Sequence, residues 1–320
     1  MDAQITRVVA VGDEAIAEAA RLIRAGRPVA VPTETVYGLA ADASRADAVA
    51  AIYAAKGRPS FNPLIVHVAG LAEAERYGLF SDSARALAAA HWPGALTLVV
   101  PERPGSGLAS AVTAGLGTVA LRCPAHPAMQ ALLAAAGRPL AAPSANASGA
   151  ISPTRAEHVL AGLGGRIPLI LDGGPTERGL ESTIVAVEGE RVRLLRPGPI
   201  ELAGAEAGPA APGEARIQAP GQLRSHYAPA KPLRLDAETA GADEWLIGFG
   251  AVAGDDNLSP SASLDEAAAR LFAALHRADA MDRPRIAVVP IPADGIGLAI
   301  NDRLRRAAAP RDGGAEARPE

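Results

Sequence analysis

The chain has 320 residues, enough for one large domain or two of ordinary size, and hydrophobic residues make up 49% of it. Its formal net charge of −4 disfavours a constitutive nucleic-acid binder, because such proteins are usually strongly basic. Cys123 is the one cysteine, which excludes an internal disulfide and a cysteine-rich metal site.

The N-terminus, MDAQITRVV, has no cationic region followed by a long apolar core, so the sequence predicts no signal peptide. No run of the chain reaches the roughly 18 apolar residues that a membrane-spanning helix needs. Together these features predict a cytoplasmic protein without a membrane partner.

Helical and strand-like segments alternate along the first part of the chain, and this alternation predicts an α/β fold. Ser152 is expected to cap a helix, with Pro153 at its first position and a capping box between Thr154 and Glu157. Residues 101–117 are rich in Gly, Pro and Ser and are expected to form a mobile loop. The other predicted helices span residues 13–25, 46–55, 71–77, 81–91 and 127–136, and the predicted strands span 28–31, 64–67, 95–100, 118–122, 140–142, 167–171, 184–187 and 192–195.

The stretch KGRPSFNPLIVH, at residues 56–67, combines a basic turn with the start of a buried strand. Lys56 and Arg58 flank a glycine, Asn62 precedes the apolar run, and His67 ends it. Arg offers a planar fork of donors to phosphate and Lys a compact charge, so this loop could hold an anion. The alternative is a solvated basic turn, and the stretch alone does not separate the two.

Polar loops also follow other predicted strands. If the segment after the predicted strand at 28–31 is extended, Thr33 and Thr35 point to one side of it and Glu34 to the other. Arg122 ends a strand, and Ser144 stands in a loop of small residues whose backbone N–H groups could approach an anion. For each of these residues the alternative is an ordinary polar side chain at the surface, without a role in binding. Because ligands of α/β folds collect at strand ends, the loops together favour a site for a polyphosphate and a small polar acid, built from Thr35, Lys56, Arg58, Asn62, His67, Thr118, Arg122, Ser144, Ser182 and Arg196.

Residues 203–232 are dominated by Ala, Gly and Pro, a composition that predicts an interdomain linker. Within it the stretch PGQLRSHYAP carries Arg224, His226 and Tyr227, side chains that a passive spacer does not need. A second α/β unit is predicted after the linker, with strands at 244–247 and 285–290 and helices at 263–278 and 294–308.

Several common motifs are missing. There is no Walker-type phosphate loop, and Gly248-Phe249-Gly250 is not followed by the helix and complete glycine pattern of a dinucleotide site. The six His residues show no close metal-ligand spacing, so we expect no metal site made by the protein. Cys123 lies in an apolar strand context and is expected to pack rather than react. No kinase or triad pattern is present.

Seven stretches occur in a specific order, although any one alone would be a weak signal. They are PTETVYGLA, KGRPSFNPLIVH, HWPGALTLVV, TVALRCP, PSANASGAISPT, GGPTERGLESTIV and LLRPGPI. In this order they resemble the L-threonylcarbamoyladenylate synthase family, whose catalytic unit is the YrdC-type domain. PGQLRSHYAP and the segment after it resemble the longer, two-domain branch, so the resemblance covers nearly all of the chain to about Ala308.

The resemblance implies a twisted, open mixed sheet with packed helices, followed by a smaller Rossmann-like α/β domain. We therefore expect a catalytic domain at residues 1–202, a linker at 203–232, a second domain at 233–310 and a disordered tail at 311–320, which is rich in Gly and charged residues. Because prolines stiffen both sides of the stretch around Tyr227, our hypothesis is that the linker closes over the active site. The implied activity is that of a nucleotidyltransferase, a threonylcarbamoyl-AMP synthase, which converts L-threonine, bicarbonate and ATP into threonylcarbamoyl-AMP and pyrophosphate. The product serves N6-threonylcarbamoylation of adenosine 37 in tRNAs that read codons beginning with A. A downstream transferase is therefore an expected partner, without stable nucleic-acid binding by this chain.

By motif match, the family's functional residues carry over to this sequence. Lys56 and Arg58 are expected to be catalytic, stabilising charge on phosphate oxygens together with Arg196 and Mg²⁺. No general base is evident, which is tolerable because the attacking carbamate is already anionic. The residues expected to bind L-threonine are Thr35, His67, Arg122 and Ser182. Those expected to bind ATP are Arg58, Asn62, Thr118, Ala142, Ser144, Ser152, Arg196 and Tyr227.

Two other functions stay open at this point. One is a carbamoyl transferase that uses carbamoyl phosphate through the same domain, although the sequence lacks acylphosphatase-like and zinc-binding segments. The other is a double-stranded RNA-binding module, which the net charge disfavours. Ala186 and Ala219 depart from the Asp and Ser that are commoner in the family, a difference that concerns the ESTIV stretch and the start of the linker but none of the main contacts.

Overall fold

The computed structural model describes residues 5–207, 218–223 and 225–310. The chain divides into two compact units, one containing Met1–Ser148 and Ser152–Gln222 and the other containing Gly149–Ile151 and Leu223–Glu320. The first unit thus extends beyond residue 202, where the sequence predicts the end of the catalytic domain. Parts of the predicted linker, at 208–217 and 224, and the predicted tail at 311–320 lie outside the described residues. The predicted domain bounds therefore stay predictions.

The first unit alternates strands with short helices, and helix α6 and strand β6 have the predicted bounds. Its strands are β1 (Arg7–Ala10), β2 (Val29–Val31), β3 (Gly38–Asp42), β4 (Ile65–His67), β5 (Leu96–Pro101), β6 (Thr118–Arg122), β7 (Leu140–Ala141), β8 (Leu169–Asp172), β9 (Thr183–Glu188), β10 (Arg191–Arg196) and β11 (Glu206–Ala207). Its helices are α1 (Asp13–Arg24), α2 (Ala46–Lys56), α3 (Leu71–Ala74), α4 (Asp82–His91), α5 (Ser110–Thr113), α6 (Pro127–Ala136) and α7 (Ala156–Leu163).

The described strands of this unit form one mixed sheet of eleven strands, in the order β1-β8-β2-β3-β7-β4-β6-β5-β9-β10-β11. Strand β4 runs parallel to β6, with Ile65 opposite Ala120 and His67 opposite Arg122. Strand β5 runs antiparallel to β6 and parallel to β9. Near the middle, β7 pairs antiparallel with β3 on one side and with β4 on the other. The predicted fold class, an open mixed sheet with packed helices, is confirmed.

Helices cover both faces of this sheet through aliphatic side chains. On α1, Ile16, Ala19, Ala20 and Ile23 recur with helical spacing, and all four are buried in a cluster with α6. A larger cluster on the other face takes in residues of α2, α4 and α7 and the alternate residues of β4, β5 and β6. Burying a side chain the size of Ile contributes about 1.5–3 kcal/mol, so a core with few aromatic residues is sufficient.

Ser152 does not cap a helix, so that prediction is wrong. Helix α7 begins at Ala156 with Arg155 as its N-cap. The chain before it is held by tertiary bonds instead: the carbonyl of Pro153 accepts from the N–H of Tyr37 at 2.9 Å, and the fully buried Ser152 hydrogen-bonds to Glu181. Partners this distant in sequence outweigh the local capping signal.

The segment after β2 is bent rather than extended. Thr33 Oγ1 accepts from the backbone N–H groups of Thr35 and Val36 at 3.2 and 3.3 Å, which turns the chain before β3. The same bend places the hydroxyl oxygens of Thr33 and Thr35 2.8 Å apart. Strands β1 and β3 were not predicted from the sequence. The same is true of helix α5, which lies inside the predicted loop at 101–117.

The second unit carries a smaller parallel sheet. Its strands are β12 (Leu233–Arg234), β13 (Glu244–Gly248), β14 (Asp256–Asn257) and β15 (Arg285–Val288), in the order β12-β15-β13-β14, and its helices are α8 (Leu264–Ala280) and α9 (Gly297–Ala308). Ser263 caps α8 by accepting from the N–H of Glu266 at 3.3 Å. No helix of the described parts of the chain is long and apolar enough to cross a membrane.

Candidate active site

The central strands of the first unit set out two groups of polar side chains. His67 and Arg122 are paired at the carboxyl ends of β4 and β6. Thr118 begins β6 and lies about 13 Å from Arg122, given a rise of ~3.3 Å per strand residue. Asn62 precedes β4, which is parallel to β6, so it lies toward Thr118. These two regions are named the Arg122 end and the Asn62 end.

Apolar side chains on one face of the sheet form a floor between the two ends. The floor consists of Ile65, Val99, Ala120, Ile184 and Ala186. Ala219 packs on it and is fully buried, and Arg196 Nη1 donates to the carbonyl of Pro220 at 3.4 Å. Residues 219–220 of the predicted linker are therefore attached to the first unit's sheet, and alanine stands at the two positions, 186 and 219, that depart from the family pattern.

Lys56 and Arg58, at the Asn62 end, are buried and donate to main-chain carbonyls. Lys56 Nζ donates to the carbonyl of Ser144 at 2.6 Å and to that of Asn146. Arg58 donates to two carbonyls of its own loop at 3.3 and 2.9 Å. Burial, and then the charge of Arg58, lower the pKa of Lys56 well below its usual range. The two side chains thus fix the shape of two loops, and burial together with Arg58 disfavours the charged form of Lys56.

Asn62, Ala142 and Ser144 complete this end. Asn62 is 1% exposed, and neither its Oδ1 nor its Nδ2 has a partner among the residues described. Leaving such a buried group unpaired costs about 1–3 kcal/mol, so a bound partner for this amide is favoured. The N–H of Ala142 donates to the carbonyl of Ile65 at 3.0 Å, and Ser144 pairs with Gly38. These bonds place Ala142 and Ser144 alongside the loop that carries Asn62.

A buried ion pair dominates the Arg122 end. Arg122 Nη2 lies 2.7 Å from Glu34 Oε1, and the two side chains are 5% and 8% exposed. Burial raises the pKa of Glu34, but the charge and hydrogen bond of Arg122, followed by the backbone N–H groups of Glu34 and Ala125, outweigh it, and the net pKa is lowered. Burial and the charge of Arg122 lower the pKa of His67 to about 3, so its ring is neutral at pH 7. Glu34 Oε2 and His67 Nδ1 are buried without partners among the described residues.

Ser182 lies at the same end, just before β9. Its Oγ is 2.7 Å from Thr97 Oγ1, and Arg196 donates to its carbonyl at 2.9 Å and to its Oγ at 3.2 Å. Gly198 backs this turn so closely that a Cβ there would stand 2.3 Å from the N of Thr183. Only glycine permits that approach, which explains its place in the stretch LLRPGPI.

The remaining predicted residues divide between the two units. Thr35 is buried beside Glu34, and Ser152 is buried against Glu181 in the first unit. Tyr227 belongs to the second unit, where its ring lies 5.6 Å from Phe272 and beneath the Arg303 guanidinium at 5.1 Å. The predicted contact of Tyr227 with a nucleotide stays a prediction, as do the binding roles of the other residues.

Sequence reasoning missed three buried polar residues of this site. Glu34 pairs with Arg122, Thr97 supports Ser182, and Glu181 bonds Ser152. An extended segment would put Glu34 on the far side from Thr33 and Thr35. A carboxylate between two threonines in an otherwise apolar stretch is the sequence signal that marks it.

Comparisons with known proteins identify the family. A family model described as "Telomere recombination", which joins the Sua5, YciO and YrdC proteins, matches residues 21–198. A second model, described as "Threonylcarbamoyl-AMP synthase, C-terminal domain", matches residues 190–309.

Relatives match over almost the whole chain. A threonylcarbamoyl-AMP synthase of Bacillus subtilis is 42% identical, with 96% of each chain covered. One from Pyrococcus abyssi is 38% identical over 90% of this chain and 92% of its own. The crystal structure of P. abyssi Sua5 complexed with L-threonine superposes with a TM-score of 0.85 and 35% identity, covering 95% of this chain and 97% of that one. The chain therefore belongs to the Sua5/YrdC family of threonylcarbamoyl-AMP synthases, in its longer, two-domain form.

Proposed function

We propose that this chain is a threonylcarbamoyl-AMP synthase, a nucleotidyltransferase that joins L-threonine, bicarbonate and ATP and releases pyrophosphate. The observation that carries the proposal is the pair of polar ends on one apolar floor: buried cations and an unpaired amide at one, a buried Arg–Glu pair with a neutral His at the other. The names of the relatives support the same reaction.

At the Arg122 end the proposed ligand is L-threonine. Arg122 would bind its carboxylate through the guanidinium fork. Thr35, His67 and Ser182 would face its hydroxyl and methyl groups, and the neutral His67 can accept or donate one hydrogen bond without adding charge. The buried, water-poor setting strengthens each of these contacts.

At the Asn62 end the proposed ligand is ATP. Arg58 carries a charge that phosphate oxygens need, and Asn62 offers both a donor and an acceptor. Arg196, which lies beside Ser182 at the Arg122 end, would add a second charge to the phosphates. Lys56 would act through the loops that it holds as well as through its charge. The other residues proposed to line the nucleotide site are Thr118, Ala142, Ser144, Ser152 and, from the second unit, Tyr227.

The proposed chemistry has two steps. The ammonium group of threonine first loses a proton to solvent, and the resulting amine adds to the carbon of bicarbonate as water leaves, which gives N-carboxythreonine. A carbamate oxygen then attacks the α-phosphorus of ATP, and the bond to the β-phosphate oxygen breaks to release pyrophosphate. Negative charge accumulates on phosphate oxygens in this second step, so positioning and electrostatic stabilisation carry the catalysis.

We propose Mg²⁺ as the counter-ion of the ATP phosphates rather than as a metal held by the protein. Among the residues described, no three His, Cys, Asp or Glu side chains come together, so the chain's own side chains do not fit a resident ion. Magnesium commonly binds through substrate phosphates with only one or two protein carboxylates.

The biological setting is also a proposal. The product would pass to a transferase that modifies adenosine 37 of tRNAs reading codons that begin with A, in the cytoplasm. A net charge of −4 supports transfer of the small adenylate to a partner rather than stable RNA binding by this chain.

The deciding measurement is pyrophosphate release from ATP with bicarbonate, with and without L-threonine. The proposal expects release that depends on threonine, and threonylcarbamoyl-AMP as the product by mass. Release that depends on carbamoyl phosphate instead would indicate the carbamoyl transferase. No release, together with retention of double-stranded RNA at physiological salt, would indicate the binding module.

A further inference from the structure

Glu34 combines burial with an unused acceptor. Its side chain is 8% exposed, Oε1 is held by Arg122 at 2.7 Å, and Oε2 is buried with no partner among the described residues. The N–H of Arg178 donates to its backbone carbonyl at 2.8 Å, which fixes the residue in the bend before β3. A carboxylate oxygen withdrawn from water without a donor is costly, so a ligand donor is expected to meet it.

The charges at this end indicate which ligand group donates to Glu34 Oε2. A free α-amino acid is a zwitterion, and Arg122 can neutralise its carboxylate but not its ammonium group. The other charged groups near this end include the cation Arg196, and His67 is neutral at pH 7, so neither attracts an ammonium group. Glu181, a second buried carboxylate, hydrogen-bonds Ser152 instead. In an Arg–Glu pair, the guanidinium can bind the carboxylate of the zwitterion and the carboxylate can bind its ammonium group.

We propose that Glu34 is a substrate-binding residue whose Oε2 accepts a hydrogen bond from the α-ammonium group of the amino-acid substrate. The inference rests on the proposed function, because it concerns the L-threonine site. Through Oε1 the same carboxylate orients Arg122 toward the substrate carboxylate. Glu34 thus makes the site select α-amino acids over hydroxy acids of the same shape.

The rival explanation is that Glu34 only orients Arg122. A pair of ligands separates the two roles: L-threonine and (R)-3-hydroxybutyrate, which keeps the carboxylate, hydroxyl and methyl groups but lacks the ammonium. If Glu34 only orients Arg122, its loss lowers the affinity for both ligands by the same factor. If it binds the ammonium, its loss lowers the affinity for L-threonine alone.

The experiment measures the dissociation constants of both ligands by calorimetry, for the full-length wild type and for Glu34→Gln. The amide oxygen of Gln can still accept from Arg122. The amide carries no negative charge, and its NH2 group would then face the ammonium of the ligand. We expect L-threonine to bind at least about tenfold more weakly to the variant, since a hydrogen bond to a charged group is lost. The constant for (R)-3-hydroxybutyrate should change by less than about twofold.

Glu206→Gln is the matched control. Glu206 pairs with Arg191 at 2.6 Å, but both side chains are more than half exposed, so its variant removes an Arg–Glu pair outside the site. Equal weakening of both ligands in Glu34→Gln overturns the proposal. If that variant does not fold, the wild type still decides: similar affinity for the two ligands would mean that no anion contacts the ammonium. Absence of any L-threonine binding by the wild type would count against the proposed function instead.

Discussion

Replacing Lys56 with Met tests the basic loop most directly. The Nζ of Lys56 donates to the carbonyls of Ser144 and Asn146, so it joins the end of α2 to the loop after β7. Met fills a similar volume and cannot donate. Lys56→Met therefore removes the positive charge and also releases the loop that carries Ser144.

The size of the effect follows from these contacts. Each carbonyl left unpaired in the interior costs about 1–3 kcal/mol. Removing a buried charge returns part of that, because its desolvation was unfavourable. We expect the free energy of unfolding to fall by about 1–3 kcal/mol in total. We expect kcat/KM for adenylate formation to fall at least about tenfold, or ~1.4 kcal/mol of transition-state stabilisation.

The assay is threonine-dependent pyrophosphate release at saturating ATP, with circular dichroism to verify folding. Arg24→Met is the control, because exposed Arg24, the last residue of α1, also donates to a carbonyl, that of Ala135 at 2.7 Å, and neither residue is among those proposed for the site. Its turnover should match the wild type. Near-normal turnover by folded Lys56→Met would refute a role for this loop in the reaction, and the same would hold for Arg58→Ala.

Three further outcomes are expected. L-valine lacks the hydroxyl and should react with a kcat/KM at least about 100-fold below that of L-threonine; equal values would refute the assigned pocket. A chain ending at Gln222 should fold, yet bind ATP more weakly and lose adenylate faster to hydrolysis, and Tyr227→Ala should share part of that defect; identical adenylate lifetimes would exclude a shielding role for residues 223–232 of the linker. His67 has a folded pKa of about 3, whereas the unfolded chain takes up its proton near pH 6.5, so stability falls as pH drops between these values. Denaturant unfolding at pH 7 and pH 5 should show this fall, and His67→Gln should reduce it by about 2 kcal/mol; an unchanged difference would contradict the neutral, buried ring.

The elements with strong local signals were predictable. The spacing of Ile16, Ala19, Ala20 and Ile23 predicted α1 and its buried face, and alternation predicted β6 with Thr118 and Arg122 on one side. Recognising the ordered motifs then indicated the family. The two periodic patterns lie within single elements, and the ordered motifs are visible directly in the chain.

Pairings between distant segments could not be predicted in the same way. Ser152 has every feature of a cap, but Glu181 takes its hydroxyl. Glu34 is separated from Arg122 by several strands in sequence, so its ion pair becomes visible only when β4 and β6 are assembled beside the bend. Strand β1 was missed because an exposed edge strand lacks the alternation that burial imposes.

The short strand β7 has a mechanical consequence. It is the link through which β3 and β4 belong to one sheet, and its two residues pair with both neighbours. Glu34 precedes β3, on one side of β7, whereas Arg122 ends β6, which pairs with β4 on the other side. The ion pair therefore joins the two parts of the sheet that β7 connects. Ala142 and Ser144, proposed to meet ATP, continue directly from the same strand. Substrates bound at both ends would therefore hold the two parts of the sheet together across β7. At a concentration a hundred times its dissociation constant, a single ligand adds about 2.7 kcal/mol to the free energy needed to separate them.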